Sequence, residues 1–256
     1  MPELPDLEVF SRNLEKKLKG KKLEKLTITR GARTTVPASR IIKTLTGQRV
    51  KKIYREGKEL RFAFEKNLLG IHLMLRGKLF WFDAKNPHKH TLVEFYFEKD
   101  TGLAVTDYQR KAQLSLDPGE PDAPDALSSK LNLGYMRKIL EKKAIVKNLL
   151  TDQQLIRGIG NAYADEILWK ARISPFSISN KIPPVQVKIL ANSIKTVLKK
   201  AQEQIAKSEP GIIGGEVRHF MAVHNAKRKR SPKGALIKTS ETSRKTYYTN
   251  EQVLYR

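Results

Sequence analysis

The sequence predicts an α+β protein with an N-terminal antiparallel β-sandwich or barrel, a helical C-terminal domain and a β-hairpin at its end. Three observations predict this fold. Short β-branched and aromatic runs follow one another from residue 22 to 116, an apolar helical period continues from 133 to 206, and the acidic, proline-rich stretch 117–129 lies between them. A chain of 256 residues has room for two domains, because domains commonly hold about 100–200 residues.

The N-terminal part opens with an amphipathic helix and continues in strands. Apolar side chains recur at nearly helical spacing over residues 4–18, at Leu4, Leu7, Phe10, Leu14 and Leu18. The runs that favour strands are LTITR, VKKIY, LRFAFE, IHLMLRGKLFWF, TLVEFYFE and LAVTDY. Several short strands at regular spacing are typical of an antiparallel sandwich or barrel.

The C-terminal part is predicted to be helical up to a final hairpin. Helices are predicted over 133–143, 145–156, 161–173 and 184–206, and the turn RGIGN (157–161) favours a helix–turn–helix reader of the DNA backbone. GALIKT and RKTYYT flank SETS and predict a β-hairpin. The predicted boundaries are a sheet domain at 1–117, a linker at 118–130, a helical domain at 131–224 and a terminal hairpin at 225–256.

Composition indicates the partner and the compartment. The formal net charge of +24 attracts polyanions, so nucleic acid is the expected partner. The absence of cysteine excludes disulfides, thiolate nucleophiles and cysteine-based zinc sites, and we expect neither metal nor cofactor. The N-terminus resembles no signal or transit peptide and no apolar run could span a membrane, so a cytoplasmic protein is expected.

The opening residues, MPELPD, are candidates for chemistry. Methionine before proline is normally removed, which leaves Pro2 as a secondary amine that is partly unprotonated at neutral pH. Attack of this amine on a sugar C1′ gives an iminium that acidifies the C2′ hydrogens and permits elimination of the phosphate, and Glu3 is a candidate general acid or base. The alternative is structural, because proline and an acid are also common in the first turn of a helix.

Six segments extend the chemical interpretation: MPELPD, GK at 57–58, HLMLRG at 72–77, IRGIGNAYADEILWKARISP at 156–175, GG at 214–215 and RKTYY at 244–248. In this order and spacing the sequence resembles the formamidopyrimidine-DNA glycosylase/endonuclease VIII family over essentially its full length. The resemblance implies a bifunctional DNA glycosylase and apurinic-site lyase of base excision repair, acting as a monomer on damaged double-stranded DNA by β,δ-elimination. It also implies a helix–two-turn–helix domain, DNA in a basic cleft between the domains, and work at the bacterial nucleoid.

The resemblance assigns roles to individual residues. Pro2 matches the nucleophile, Glu3 the carboxylate that assists opening of the sugar ring, and Lys58 a catalytic lysine near the phosphates and sugar. Asn161 and Arg244 match residues that hold the phosphates around the flipped nucleotide, with Arg244 also serving catalysis. Asp6 stands among the DNA-binding residues, where the family usually has glutamate. Taken singly, Lys58 could be a solvated charge at the end of a strand, Asn161 a helix N-cap and Arg244 a cross-strand residue of the hairpin.

The family's zinc finger is altered in this sequence. Its two cysteine pairs fall on residues that cannot bind zinc: Arg230, Lys233, Thr249 and Gln252. The flanking GALI and RKTYY persist. We therefore expect a zincless finger held by packing of Leu236, Tyr247 and Tyr248.

Two further departures concern the lesion. Leu75 stands at the family's gap-filling methionine, and Gln109 and Lys111 lie near its two partners, so we expect Leu75 to fill the gap with Gln109 or Tyr108 beside it. The stretch between GGEVRHF and the finger is short. This disfavours tight recognition of 8-oxoguanine and favours ring-opened purines, oxidised pyrimidines or hydantoins.

Two other functions are weighed against this one. The first is a damage sensor that has the fold without the chemistry, against which the joint presence of Pro2, Glu3 and Lys58 argues. The second is a basic RNA- or ribosome-binding protein, which would be expected to carry the aromatic stacking signature of the common RNA-binding modules.

Overall fold

The computed structural model describes residues 1–241 and 245–256. The chain divides into two compact units, residues 1–120 with 205–216 and residues 121–204 with 217–256. Segment 205–216 therefore belongs with the N-terminal residues, although the sequence placed it in the helical domain. Within the described ranges, no helix is long and apolar enough to cross a membrane.

The first unit is a sandwich of two open sheets with two helices, which confirms the predicted class. The helices are α1 (Leu4–Leu18) and α2 (Ala38–Leu45); the strands are β1 (Leu23–Ile28), β2 (Arg33–Thr34), β3 (Val50–Glu56), β4 (Glu59–Phe64), β5 (Leu68–His72), β6 (Lys78–Asp83), β7 (Thr91–Phe97), β8 (Thr101–Thr106) and β9 (Gln113–Leu116). One sheet has the order β1-β7-β8-β6 and the other β2-β9-β5-β4-β3. All the paired strands are antiparallel except β2 and β9.

The core of this unit lies between the two sheets. Phe62 of β4 and Phe95 of β7 stack with ring centroids 6.2 Å apart, which joins the inner face of one sheet to that of the other. One side of α1 closes the core with the fully buried Phe10, Leu14 and Leu18. These are the apolar positions that predicted the helix, because a helix on a sheet buries one stripe.

The predicted strand IHLMLRGKLFWF is two strands, β5 and β6, separated by a turn at residues 73–77. The Gly77 amide donates to the Leu73 carbonyl at 2.9 Å, and a Cβ at Gly77 would lie 2.3 Å from that oxygen. Only glycine fits this approach. The apolar run continues from β5 through Leu73, Met74 and Leu75 into the turn, so the apolar pattern alone did not reveal where β5 ends.

The second unit is helical and ends in a small hairpin. Its helices are α3 (Leu133–Leu140), α4 (Val146–Thr151), α5 (Asn161–Lys170) and most of α6 (Pro184–Ser208), with a 3₁₀ turn at Ser179–Lys181; its strands are β10 (Lys238–Ser240) and β11 (Thr246–Tyr248). The helices α3, α4 and α5 end earlier than predicted. For α4 the reason is local, since the Asp152 carbonyl accepts from the amides of Leu155 and Ile156 and turns the chain.

Part of the stretch predicted as a linker is folded onto the second unit. The Ala126 amide donates to the Arg157 carbonyl at 2.9 Å, and the Arg157 amide donates to the Pro124 carbonyl at 3.0 Å. The Arg157 guanidinium also donates to the Ala123 carbonyl at 2.6 Å. Residues 123–126 therefore support the turn that leads into α5.

Candidate nucleic-acid site

The chain's first residues form the cap of α1. Glu3 is the N-cap: its amide donates to the Asp6 carboxylate at 2.9 Å, and its carboxylate accepts from the Asp6 amide, which makes a capping box. Pro2 and Glu3 are buried, and Asp6 is fully buried. The Asp6 side chain thus holds Glu3 in place, and a direct contact of Asp6 with DNA would require this cap to open.

A second carboxylate faces the N-terminus. The amine of Met1 forms an ion pair with Glu216. The segment that carries Glu216 is fixed to α1 by the side chain of Asn13, whose Nδ2 donates to the Ile212 carbonyl at 2.8 Å. A Cβ at Gly214 would lie 2.6 Å from the Leu79 carbonyl oxygen, so this close passage requires glycine. The sequence analysis missed Glu216, because 215 positions separate it from Met1.

The lysine predicted to be catalytic lies on the tight turn between β3 and β4. Gly57 precedes it with a φ of 59°, as the first central residue of a type II′ hairpin turn requires. The buried guanidinium of Arg55 ties this turn to α1, because its Nε donates to Glu8 at 3.0 Å and its NH1 donates to the Gly57 carbonyl at 3.0 Å. Arg55 therefore links α1, whose N-cap follows Pro2, to the turn that carries Lys58.

The imidazole of His72, at the end of β5, lies near this turn. Burial lowers the pKa of its imidazole below the ordinary value, and the charge of Lys58 lowers that pKa further. Its Nδ1 accepts from the Met74 amide at 3.0 Å.

The two loops expected to fill the gap in DNA leave the sheets at the same end. Lys78 pairs with Thr106 and His72 pairs with Gln113, so the turn at 73–77 and the loop at 107–112 connect the same strand neighbours. Leu75 is 54% exposed in the first. The second is folded around the buried Asp107 carboxylate, which accepts three amides at 2.8–2.9 Å. It presents Tyr108, 58% exposed, and the exposed Gln109.

In the second unit, two turns join α4 to α5. Gly158, with a φ of 100°, gives the second turn its left-handed step, and the side chain of Gln153 bonds both the Gly158 amide and the Ile159 carbonyl. Gly160 is the N-cap and Asn161 is the first helical residue, so Asn161 is not the cap. The side-chain amide of Asn161 donates from Nδ2 to the Lys245 carbonyl at 2.8 Å. Arg244, which the sequence analysis also expected to hold the phosphates, lies outside the described residues.

One stripe of α5 binds the C-terminal segment. Asn161, Asp165 and Trp169 are four residues apart and contact Lys245, Tyr247 and Glu251 in turn. Asp165 is fully buried: it pairs with Lys147 at 2.6 Å, lies 2.8 Å from His224 Nδ1 and accepts the Tyr247 amide at 3.0 Å. The Lys147 ammonium also donates to Thr246 at 2.7 Å. Sequence reasoning did not find this anchor.

Glu166, the next residue of α5, holds a different segment. Its carboxylate accepts the amides of residues 222, 223 and 224, each at 2.8 Å. Burial raises the pKa of Glu166 above its ordinary value, although the three amides favour the charged form. The adjacent acids thus fix both the hairpin and residues 222–224 before it.

The finger contains no set of zinc ligands. Its four candidate positions carry Arg, Lys, Thr and Gln, and among the described residues no group of His, Cys, Asp or Glu could hold a metal. The expectation that Leu236 packs the hairpin is wrong, since this side chain is 58% exposed. Tyr247 is buried, and Tyr248 lies edge-on to Phe176 with ring centroids 5.0 Å apart. The hairpin is held by hydrogen bonds to α5 in place of packing by Leu236.

A strongly basic chain with a sheet unit, a two-turn motif at a helix N-terminus and a finger-like hairpin defines the class: a DNA-binding protein. Residues 1–114 match the formamidopyrimidine-DNA glycosylase N-terminal domain, and residues 123–209 match the formamidopyrimidine-DNA glycosylase H2TH domain. The chain belongs to the formamidopyrimidine-DNA glycosylase family.

Individual relatives agree with this assignment. The formamidopyrimidine-DNA glycosylase of Lactobacillus gasseri is 30% identical, with 100% of both chains covered, and that of Ligilactobacillus salivarius is 34% identical over 79% of this chain and 78% of the relative. The Lactococcus lactis Fpg bound to abasic-site DNA is 26% identical with a TM-score of 0.87, covering 98% of this chain and 99% of that one. The same Fpg with FAPY-dG DNA is 27% identical at a TM-score of 0.87, with the same coverage.

Proposed function

We propose that this chain is a DNA glycosylase of base excision repair that also cleaves the backbone at the resulting abasic site. Membership of the family supports the glycosylase activity. The observation that carries the lyase proposal is the arrangement at α1, where Pro2 and Glu3 lie together and the turn of Lys58 is tied to the same helix. The substrates are oxidised or ring-opened bases in double-stranded DNA.

The chemistry begins once Met1 has been removed. The Pro2 amine forms a bond to C1′ of the damaged nucleotide as the bond from C1′ to the base breaks, and the amine proton leaves with the base. The bond from C1′ to the ring oxygen then breaks as that oxygen is protonated, and the resulting iminium draws electrons from C2′. Loss of a C2′ proton then expels the 3′ phosphate, and a second elimination expels the 5′ phosphate. Glu3 assists opening of the sugar ring by proton transfer, and Glu216 is a second carboxylate within reach of the N-terminus.

The DNA is held by contacts to its phosphates and by filling of the gap left by the extruded base. Lys58, Asn161 and Arg244 are proposed to grip the phosphates, with the positive end of the α5 dipole behind Asn161. Leu75 and either Tyr108 or Gln109 are proposed to enter the stack. A base can be attacked only after it leaves the duplex, and its departure leaves a gap in the stack. The exposure of these side chains on neighbouring loops supports their assignment to that gap.

The competing function, a sensor that binds damage without chemistry, is distinguished by a product assay. Abasic-site DNA and duplexes that each carry one oxidised or ring-opened base should yield free base and strands that end in phosphate on both sides of the gap. Intact strands with tight binding would favour the sensor. The same panel measures lesion preference, for which we predict ring-opened purines, oxidised pyrimidines or hydantoins over 8-oxoguanine.

Binding to undamaged duplex is expected to depend steeply on salt because of the charge of +24. The logarithm of the association constant should fall against log salt with a slope of about −0.9 per phosphate neutralised. Lys58→Ala removes one positive charge and should make that slope less steep by about 0.9. Asn161→Ala removes no charge and should weaken binding at an unchanged slope. Fluorescence anisotropy titrations between low and moderate salt measure both, and a salt-insensitive affinity would contradict the electrostatic account.

Activity is expected to depend on Arg244 and to be independent of zinc. A guanidinium can hold two phosphate oxygens at once, and such a charge-assisted bond contributes roughly 1.5–3 kcal/mol. Arg244→Ala should therefore lower excision about tenfold to a hundredfold, and Arg244→Lys should recover only part of it. A strong chelator should leave the wild-type rate unchanged, with elemental analysis as the check. Full activity of Arg244→Ala would mean that the hairpin makes no such contact.

A further inference from the structure

A single carboxylate joins three parts of the C-terminal region. Glu251 Oε2 accepts hydrogen bonds from Ser231 Oγ at 2.7 Å, from Thr249 Oγ1 at 3.0 Å and from Trp169 Nε1 at 3.0 Å. Ser231 belongs to the turn before the hairpin, Thr249 to the turn after it, and Trp169 to α5. These are the two turns on which the family's cysteine pairs would fall.

The turns around this carboxylate are themselves ordered. The Ser231 amide donates to the Ala235 carbonyl at 2.8 Å and the Gly234 amide donates to the Ser231 carbonyl at 2.9 Å. In the other turn, the Thr249 amide donates to Gln252 Oε1 at 2.8 Å, and Gln252 Nε2 donates to the Ile173 carbonyl at 2.8 Å. Ser231 and Thr249 are only 5% and 2% exposed, so their hydroxyls require a partner within the protein.

We propose that Glu251 replaces the metal ion as the centre that holds the finger, and that it positions the hairpin β10–β11 for its contact with DNA. The polarity of the site is reversed. In a zinc finger a cation gathers anionic ligands from two turns, whereas here an anion gathers neutral hydroxyl and indole donors. Hydrogen bonds to a charged acceptor are about twice as strong as neutral ones, so one carboxylate can fix the two turns to each other and to α5.

The same contacts lower the pKa of this carboxylate. Burial raises the pKa of Glu251, but the hydrogen bonds from Trp169, Ser231 and Thr249, together with the charge of Lys233, outweigh burial and leave the pKa below its ordinary value. A carboxylate whose pKa is depressed on folding stabilises the protein above its unfolded pKa, about 4.3 for glutamate. That contribution disappears as the pH falls through the lower, folded value, so the centre is fully charged at neutral pH.

The first test observes the centre without any activity assay. The chain has two tryptophans, Trp81 and Trp169, so its nitrogen–proton correlation spectrum contains two indole signals. The Trp169 signal should move with pH as Glu251 titrates in acid, and Glu251→Gln should shift it and abolish that dependence, while the Trp81 signal stays in place. An unchanged Trp169 signal in Glu251→Gln would overturn the proposal.

Single-donor variants keep the test decisive if Glu251→Gln folds poorly. Ser231→Ala and Thr249→Val each remove one bond to the carboxylate, so each should move the acid transition of the Trp169 signal to higher pH. Glu203→Gln, an exposed position on α6, is the matched control and should leave both signals unchanged. A transition that does not move in either variant would mean that Glu251 is not the shared acceptor.

The second test measures positioning and rests on the proposed function. On abasic-site DNA, Glu251→Gln should raise KM about tenfold relative to Glu203→Gln, with kcat little changed. This is the loss expected when a misplaced hairpin gives up one charge-assisted bond to DNA. Borohydride trapping at saturating DNA should persist, because the nucleophile is intact. If Glu251→Gln abolishes the pH dependence of the Trp169 signal but leaves KM unchanged, Glu251 does not position the hairpin for DNA. Absence of trapping in the wild type would refute the proposed function and leave the spectroscopic result standing.

Discussion

Pro2→Thr should fail to form the covalent complex that borohydride traps between the wild-type protein and abasic-site DNA. The secondary amine of proline forms an iminium without having to lose a second proton, and the rigid ring presents its nitrogen at the start of α1. Threonine offers a flexible primary amine in its place. Trapping and strand cleavage are both expected to fall to background, as read from denaturing gels and from the intact mass of the adduct.

The control for this variant is Pro37→Thr. Pro37 is an exposed proline that precedes α2, and threonine is a favourable residue at a helix start. This protein should trap as efficiently as the wild type. Peptide mapping of the wild-type adduct should place the DNA on the N-terminal peptide after loss of Met1. If Pro2→Thr still traps DNA and peptide mapping places that adduct on a lysine, the proposed role of Pro2 is wrong.

Asp165→Ala should strongly destabilise the C-terminal unit. Asp165 is fully buried, and its loss leaves the ammonium of Lys147, itself only 8% exposed, without its carboxylate. Removing one partner of a buried ion pair costs about 3–5 kcal/mol. The hairpin should loosen as well, because Asp165 also binds His224 and the Tyr247 amide. Urea unfolding followed by tryptophan fluorescence measures the change.

Two further variants interpret that result. Asp122→Ala removes an exposed acid and should change stability by less than about 0.5 kcal/mol. The double variant Lys147→Met with Asp165→Leu removes both charges and should regain much of the loss, since a buried pair can often be replaced by apolar side chains. A loss of under about 1 kcal/mol for Asp165→Ala would show that the ion pair is solvated or dispensable.

Elements with strong periodicity could be predicted from the sequence. The apolar stripe of α1 and that of α6 appeared at their correct positions, and most strands of the sandwich were found where β-branched and aromatic residues alternate. The helix α2 and the short strands β2 and β9 were not predicted. The turn at 73–77 and the early ends of α3, α4 and α5 were not found. They depend on close backbone approaches and carbonyl partners that an apolar pattern does not encode.

The candidate site divides in the same way. Pro2, Glu3 and Asp6 are neighbours in the chain, so their spacing could be read directly, and the absence of cysteine by itself excluded a cysteine-based zinc finger. Only the tertiary structure decided what holds that finger. Leu236 looked like a packing residue and is exposed, while Asp165 and Glu251 bind partners up to 82 residues away. A buried hydrogen bond requires a donor and an acceptor to meet in space, and a chain brings such distant groups together only by folding.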